Sequence, residues 1–462
     1  MVNSNKIFLL VSLVYLIILL KKTQNYQFSL FLMLVNLLPF TIGRNILEVE
    51  LMKQSEIWGY SLFDVKFFVP LYLSDVFLLL IYQNYLSQKI FGQKIKFPEH
   101  KLNSLTKKAS LLLIAFLLTI LLGSITSEFN TLLIAGSLII VKFILIFLSF
   151  FIIDLKDAAN QSKFYQLIAS MTAFQVCLIL IEQFKGQNIG KFIENRLPGL
   201  EIGTRAAESA SLLRADGTFN EPNIAAIFLL MNGLLLINYF LKLNYKQSSQ
   251  KNFIYLLVGV MAILAIIFTG SRSLYALATI FIIYFLKKYF FSLKEIARKL
   301  FNKKILFSLI FLASLILPYL FTRIDTLRNI FSEDGSLNYR IELNKYALSL
   351  MQKNILFGVG LDLTPYYLAK NFKTVDSPLV IFDQAPAHNL VIQLLSETGL
   401  LGFLCFSLFI LLALTKIQLN KSLFFLPSLG YLIAAQFHPV FTNHYELTSF
   451  FFLYLGLGMK DD

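Results

Sequence analysis

Apolar runs of 13 to 22 residues recur along the whole chain, and no other feature of the sequence constrains its fold as strongly. Crossing the hydrocarbon of a bilayer takes about 20 residues of helix, so each run is a candidate membrane span. The runs fall at 7–20, 28–43, 67–82, 109–122, 132–153, 164–181, 224–241, 253–269, 274–286, 305–320, 400–415, 423–437 and 447–459. They predict an all-α polytopic transmembrane helical bundle of 12–13 spans, with residues 1–462 forming one integral membrane domain. A composition of 57% hydrophobic and 15% charged residues agrees with that class and sets the chain apart from an average soluble domain.

Sidedness follows from the loops, because Lys and Arg are retained on the cytoplasmic side of a membrane. The first run is followed by Lys21 and Lys22 without a small-residue cleavage site, and reads as a retained helix. Loops 83–108, 242–252 and 287–304 are rich in Lys and Arg and are expected to face the cytosol. The formal charge of +14 is therefore mostly topological. Its dispersal over separate loops argues against nucleic acid as a partner. Cys177 and Cys405 sit inside apolar runs, where neither a disulfide framework nor a thiolate metal site is expected.

The opposite, outer face then carries 44–66, 123–131, 182–223, 270–273, 321–399 and 438–446. Two of these loops are long. Loop 321–399, about 79 residues, has room for helices of its own. Loop 182–223 runs into "RADGTFNEPNIAAIF", where Asn220 or Glu221 at the N-cap and Pro222 in the first turn mark a helix start. The short turn in "FTGSRSLYAL" has Ser271 as its cap and Arg272 in the first turn. Arginine at a helix start opposes the usual dipole preference, yet beside free N–H groups it makes an anion site. The plainer reading of Arg272 is an interfacial side chain reaching the headgroups. Arg340, in "NYRIELNKYALSLMQKNILFGVGLDL", belongs to a predicted amphipathic surface helix that ends before Gly358 and Gly360, and a solvated helix face is its plainer reading.

The stretch "QAPAHNLVIQLLSETGLLGF" places His388 at the lip of an apolar helix beginning near Asn389, where an isolated histidine flanks or caps. What alters the weighing is that Arg214, Arg272, Arg340 and His388 all fall on the predicted outer face. Arginines suit bidentate phosphate binding, and an imidazole suits proton abstraction from a hydroxyl.

Taken in order, "RADGTFNEPN", "TGSRS", "YR…LNKYAL…ILFGVGL" and "AHNLVIQLLSETGLLGF" resemble the O-antigen ligase and O-antigen polymerase superfamily of bacterial membrane glycosyltransferases. The resemblance implies transfer of a glycan from an undecaprenyl-diphosphate carrier at the periplasmic face of the bacterial inner membrane. The acceptor would be lipid A core in a ligase, or another lipid-linked glycan in a polymerase. By resemblance, Arg214, Arg272 and Arg340 bind the diphosphate, His388 is the catalytic base, and loops 182–223 and 321–399 are periplasmic. Asn223, Asn389 and His444 are secondary candidates. The reaction would be inverting, with no metal and no cofactor. Asp75 lies inside an apolar run and is expected to find a partner across helices. His438 and His444 read as interfacial polar residues. A transporter or lipid-linked oligosaccharide flippase is the alternative from another class, but a path across the membrane needs polar residues at depth, and the ionisable residues here gather at the outer ends.

Overall fold

The computed structural model describes residues 2–23, 25–40, 43–52, 65–91, 104–126, 130–153, 155, 157–189, 214–219, 221–243, 252–300, 336–364, 367 and 387–460. The chain is an all-α polytopic protein with one accessory ribbon. Among the described residues the helices are α1 (Val2–Thr23), α2 (Tyr26–Leu37), α3 (Leu73–Ile90), α4 (Ser104–Thr126), α5 (Asn130–Leu148), α6 (Ala158–Lys185) and α7 (Pro222–Lys242). They continue as α8 (Phe253–Thr269), α9 (Arg272–Leu300), α10 (Ser336–Met351), α11 (Leu390–Leu419), α12 (Phe425–Ala434) and α13 (Tyr445–Met459). Four of them, α4, α6, α7 and α11, are long and apolar enough to cross a membrane on their own, and α2, α8, α12 and the stretch Gly136–Phe151 are shorter apolar helices. The predicted run 305–320 lies outside the described residues.

One predicted span is corrected. Run 67–82 does not begin as a helix: strand β1 (Gly43–Met52) pairs antiparallel with β2 (Val65–Tyr72), in register Gly43 with Tyr72 and Asn45 with Pro70. The sequence VKFFVPLY is rich in β-branched and aromatic residues, and Pro70 is incompatible with a helix interior. The helix starts only at Leu73, where the Asp75 carboxylate accepts the Tyr72 N–H at 2.9 Å.

Helix α13 forms the axis of the core, buried at every residue from Tyr445 to Met459. Around it Phe143 and Phe452 stack at 5.2 Å between centroids, with Phe406, Phe409 and Phe441 against them. Helices α7 and α8 approach through glycines: a Cβ on Gly233 would lie 3.0 Å from the Gly259 carbonyl, so small residues set the helix spacing. A buried ion pair joins α3 to α5, Lys142 Nζ to Asp75 Oδ2 at 2.6 Å, and the Tyr445 hydroxyl donates to the other carboxylate oxygen. Asp75 thus has its cross-helix partners, a lysine and a tyrosine.

Helix α11 is broken at Gly399, whose backbone is non-helical at φ 66° and ψ −173°. The turn after α10 docks there. Val359 and Gly360 N–H groups donate to the Ser396 and Glu397 carbonyls at 2.9 Å each, and Leu400 N–H donates to the Ile355 carbonyl at 2.9 Å. The kink leaves carbonyls and N–H groups without helical partners, and the segment 355–360 supplies them. Predicted loop 321–399 therefore ends in nine residues of helix, Leu390 to Thr398, folded against its own glycine turn.

Candidate functional site

The start of α7 is fixed from two sides. Glu221 is its N-cap, without a side-chain cap bond, and Pro222 occupies the first turn, as the sequence predicts. Just upstream, the Glu182 carboxylate at the end of α6 accepts N–H groups from Asp216 at 3.1 Å and Gly217 at 2.8 Å through one oxygen, and from Ile189 at 3.0 Å through the other. Gln175, two turns earlier, accepts from Thr218 N–H at 3.1 Å and donates to its hydroxyl at 2.6 Å. This cradle presents Arg214. Its Nε donates to the Thr269 carbonyl at 3.1 Å and its Nη2 to Asn223 Oδ1 at 3.0 Å, so one guanidinium ties the end of α8 to the start of α7.

The α8–α9 turn is built to let that arginine in. Gly270 has φ +68°, and a Cβ there would fall 3.1 Å from Arg214 Nε. The expected Ser271 cap is corrected in part. Ser271 stands immediately before α9 and its carbonyl accepts the Tyr275 N–H at 3.1 Å, but its buried hydroxyl makes no bond. The Thr269 hydroxyl closes the turn instead, accepting the Ser271 N–H at 3.3 Å. Arg272, the first residue of α9, is exposed. Its neighbour Ser273 places Oγ 2.7 Å from His438 Nε2.

Helix α10 buries Leu343, Ala347 and Leu350 on one stripe, which fits the predicted amphipathic helix. Arg340, half-buried in its second turn, is close enough to both His388 and His438 that its charge lowers the basicity of each. Burial, then Arg340, brings His388 down to about 3. His438 is held well below its ordinary value by burial, and by Arg340, His388, Arg214 and His444 in turn. Two of the three predicted arginines and the predicted histidine therefore meet in one electrostatic neighbourhood.

His444 is set differently. Burial alone would lower it, but its Nδ1 lies 3.5 Å from Glu446 and its Nε2 3.9 Å from Glu221, and these carboxylates raise it. His438 and His444, read from the sequence as interfacial, are both buried: residues 438–446 fold down over the aromatic core instead of reaching into water. Asn389 caps α11, accepting the Ile392 N–H at 3.1 Å and donating to the Gln436 carbonyl at 3.3 Å. That orients His388, one residue before.

Beneath the histidines lies a polar network that sequence reasoning missed. Gln393 donates to Glu397 at 3.2 Å and to Thr442 at 3.0 Å, and Thr442 donates to Asp362 at 3.2 Å. The Asp362 N–H in turn donates to Glu397 at 3.0 Å. Burial pushes Asp362 up to about 6. The Gln393–Glu397 pair at i, i+4 and the Gln175–Glu182 pair at i, i+7 were visible as polar residues sharing one face of an apolar helix. Their partners, at a sequence distance of 34 residues or more, were not.

A family model described as O-antigen ligase matches residues 257–407. The match supports the O-antigen ligase and polymerase superfamily that the four motifs resemble. The matched region contains Arg272, Arg340, His388 and the Gly358–Gly399 docking, whereas Arg214, His438 and His444 lie outside it. No curated protein matches the chain significantly. The matched region, under half of the chain, is similar to O-antigen ligases, and the apolar helices are those of a multi-pass membrane protein.

Proposed function

We propose that the chain is an inverting membrane glycosyltransferase that takes a glycan from undecaprenyl diphosphate and passes it to lipid A core or to another lipid-linked glycan. On this reading residues 1–462 are one integral domain of the bacterial inner membrane, with loops 182–223 and 321–399 and the active site facing the periplasm. What supports it is that Arg340 acts electrostatically on both His388 and His438, and Arg214, tied to the end of α8, on His438. A diphosphate leaving group carries concentrated negative charge. Guanidinium groups and helix-start N–H groups stabilise it as the glycosidic bond breaks.

In this scheme Arg214, Arg272 and Arg340 hold the diphosphate. An acceptor hydroxyl attacks the anomeric carbon from the opposite side, the bond to the diphosphate oxygen breaks with its electron pair, and the hydroxyl proton passes to His388. The depressed basicity of His388 has a role here. Burial first, and then the Arg340 charge, keep the imidazole neutral and weakly basic. A bound diphosphate offsets the Arg340 charge, the smaller of the two causes, so the base strengthens when the donor is in place. Glu221, the most exposed member of the Glu221–His444–Glu446 cluster, suits an acceptor hydroxyl, and Asn223 holds Arg214. Neither a metal nor a cofactor has a role in these steps.

Lipid-linked glycan profiling in a strain lacking the protein tests this reading. Accumulated single repeats indicate a polymerase, and accumulated long carrier-linked chains indicate a ligase. An unchanged profile sinks the proposal and favours the transporter class.

A further inference from the structure

The pair Ser273 and His438 is absorbed by none of the roles above, although it joins two motifs separated by 165 residues. Ser273 lies beside Arg272 at the start of α9, on the turn that holds Arg214. The first turn of a helix has backbone N–H groups that no helical carbonyl can satisfy, and they point at whatever anion sits there. The Ser273 hydroxyl is half-buried on that turn, and its bond partner is His438 Nε2 at 2.7 Å.

His438 is 3% exposed, so an imidazole has been taken almost entirely out of water to make this contact. It also stands within electrostatic reach of Arg340, Arg214, His388 and His444. A group so placed carries no added positive charge, and it acts on a ligand only through what it holds. It holds Ser273. If Nε2 carries the ring proton and donates it to Ser273 Oγ, the hydroxyl proton is turned away from the ring and is free to donate to an oxyanion. The two bonds then form a chain in which each strengthens the other.

We propose that Ser273 is a hydrogen-bond donor to the donor lipid's diphosphate and that His438 is the positioning residue that aims it. This rests on the diphosphate-binding reading above. It adds to a site otherwise made of arginines a neutral donor whose direction is set by a second side chain. The pair also couples the α12–α13 connection, outside the matched family region, to the arginine turn within it.

The test is direct binding of undecaprenyl diphosphate to the full chain in lipid nanodiscs. Ser273→Ala is expected to weaken binding roughly ten-fold, the scale for losing one hydrogen bond to a charged group. His438→Leu should weaken it equally, and the double variant should be no worse than either single one. His438→Gln keeps a side-chain N–H near the Nε2 position and should stay within about three-fold of wild type, a rescue that a packing role would not produce. Binding by Ser273→Ala at wild-type strength overturns the pair, as does full additivity in the double variant. Should His438→Leu fail to assemble, Ser273→Ala and His438→Gln still decide the matter. A wild-type protein that does not bind undecaprenyl diphosphate overturns the diphosphate reading itself, and the pair with it.

Discussion

Gly358 and Gly399 pack backbone to backbone, so that a Cβ on the first would lie 2.5 Å from the Glu397 carbonyl carbon and one on the second 2.4 Å from the Leu356 carbonyl oxygen. Both have positive φ, 71° and 66°. This contact seats the turn after α10 against the kink of α11.

Alanine at either glycine is therefore expected to destabilise the protein by about 2 kcal/mol or more, combining left-handed strain with a clash that only backbone movement relieves. Thermal unfolding in detergent measures it. A variant as stable as wild type would show that the docking is loose. Activity should fall with stability.

His388→Ala should lower transfer roughly 10²-fold or more, the usual scale for losing a general base, at normal expression and with donor binding retained. His438→Ala should cost only about ten-fold, as an aiming group. Equal rates for His388→Ala and wild type would make His388 a helix flank and move the base elsewhere.

Because burial and Arg340 hold His388 down at about 3, it should not titrate between pH 5 and 8 in the donor-free protein. The sign for stability follows. An unfolded histidine takes up a proton near pH 6.5. The folded one does not, so its contribution is complete above that value and is lost as pH falls below it. His388→Gln should therefore lose less thermal stability than wild type on going from pH 7 to pH 5. Arg340→Gln should move the His388 titration upward, observed by histidine-selective NMR.

Arg214→Lys should impair transfer about ten-fold or more, since an ammonium cannot serve Thr269, Asn223 and a phosphate with the planar geometry of a guanidinium. Wild-type turnover in this variant would assign Arg214 to the fold alone.

Asp75→Ala leaves the half-buried Lys142 without its carboxylate and is expected to destabilise by about 3 kcal/mol, the low end for breaking a buried pair. Replacing both, as Asp75→Asn with Lys142→Met, should recover most of the loss. If the single and double variants unfold alike, Asp75 matters through Tyr445 and not through the ion pair.

Apolar run length determined, from sequence alone, that the chain is a polytopic helical protein, because a helix that meets lipid must be apolar over its whole span whatever it packs against. Helix starts were legible for the same kind of local reason: Glu221–Pro222, Gly270–Arg272 and Asn389 signal themselves within a few residues. The start of α3 was masked, since the apolar strand VKFFVPLY runs straight into it and length alone does not separate a strand from a helix. What tertiary structure decided is which polar residues meet. Glu182 under the Arg214 loop, Thr442 between Gln393 and Asp362, and His438 against Ser273 are pairings across 34 to 165 residues. No periodicity encodes such pairings, because a hydrogen bond depends on where two helix ends arrive in space. The histidine at 438 looked interfacial in sequence. Only the packing of 438–446 onto the core took it out of water and put it among the arginines.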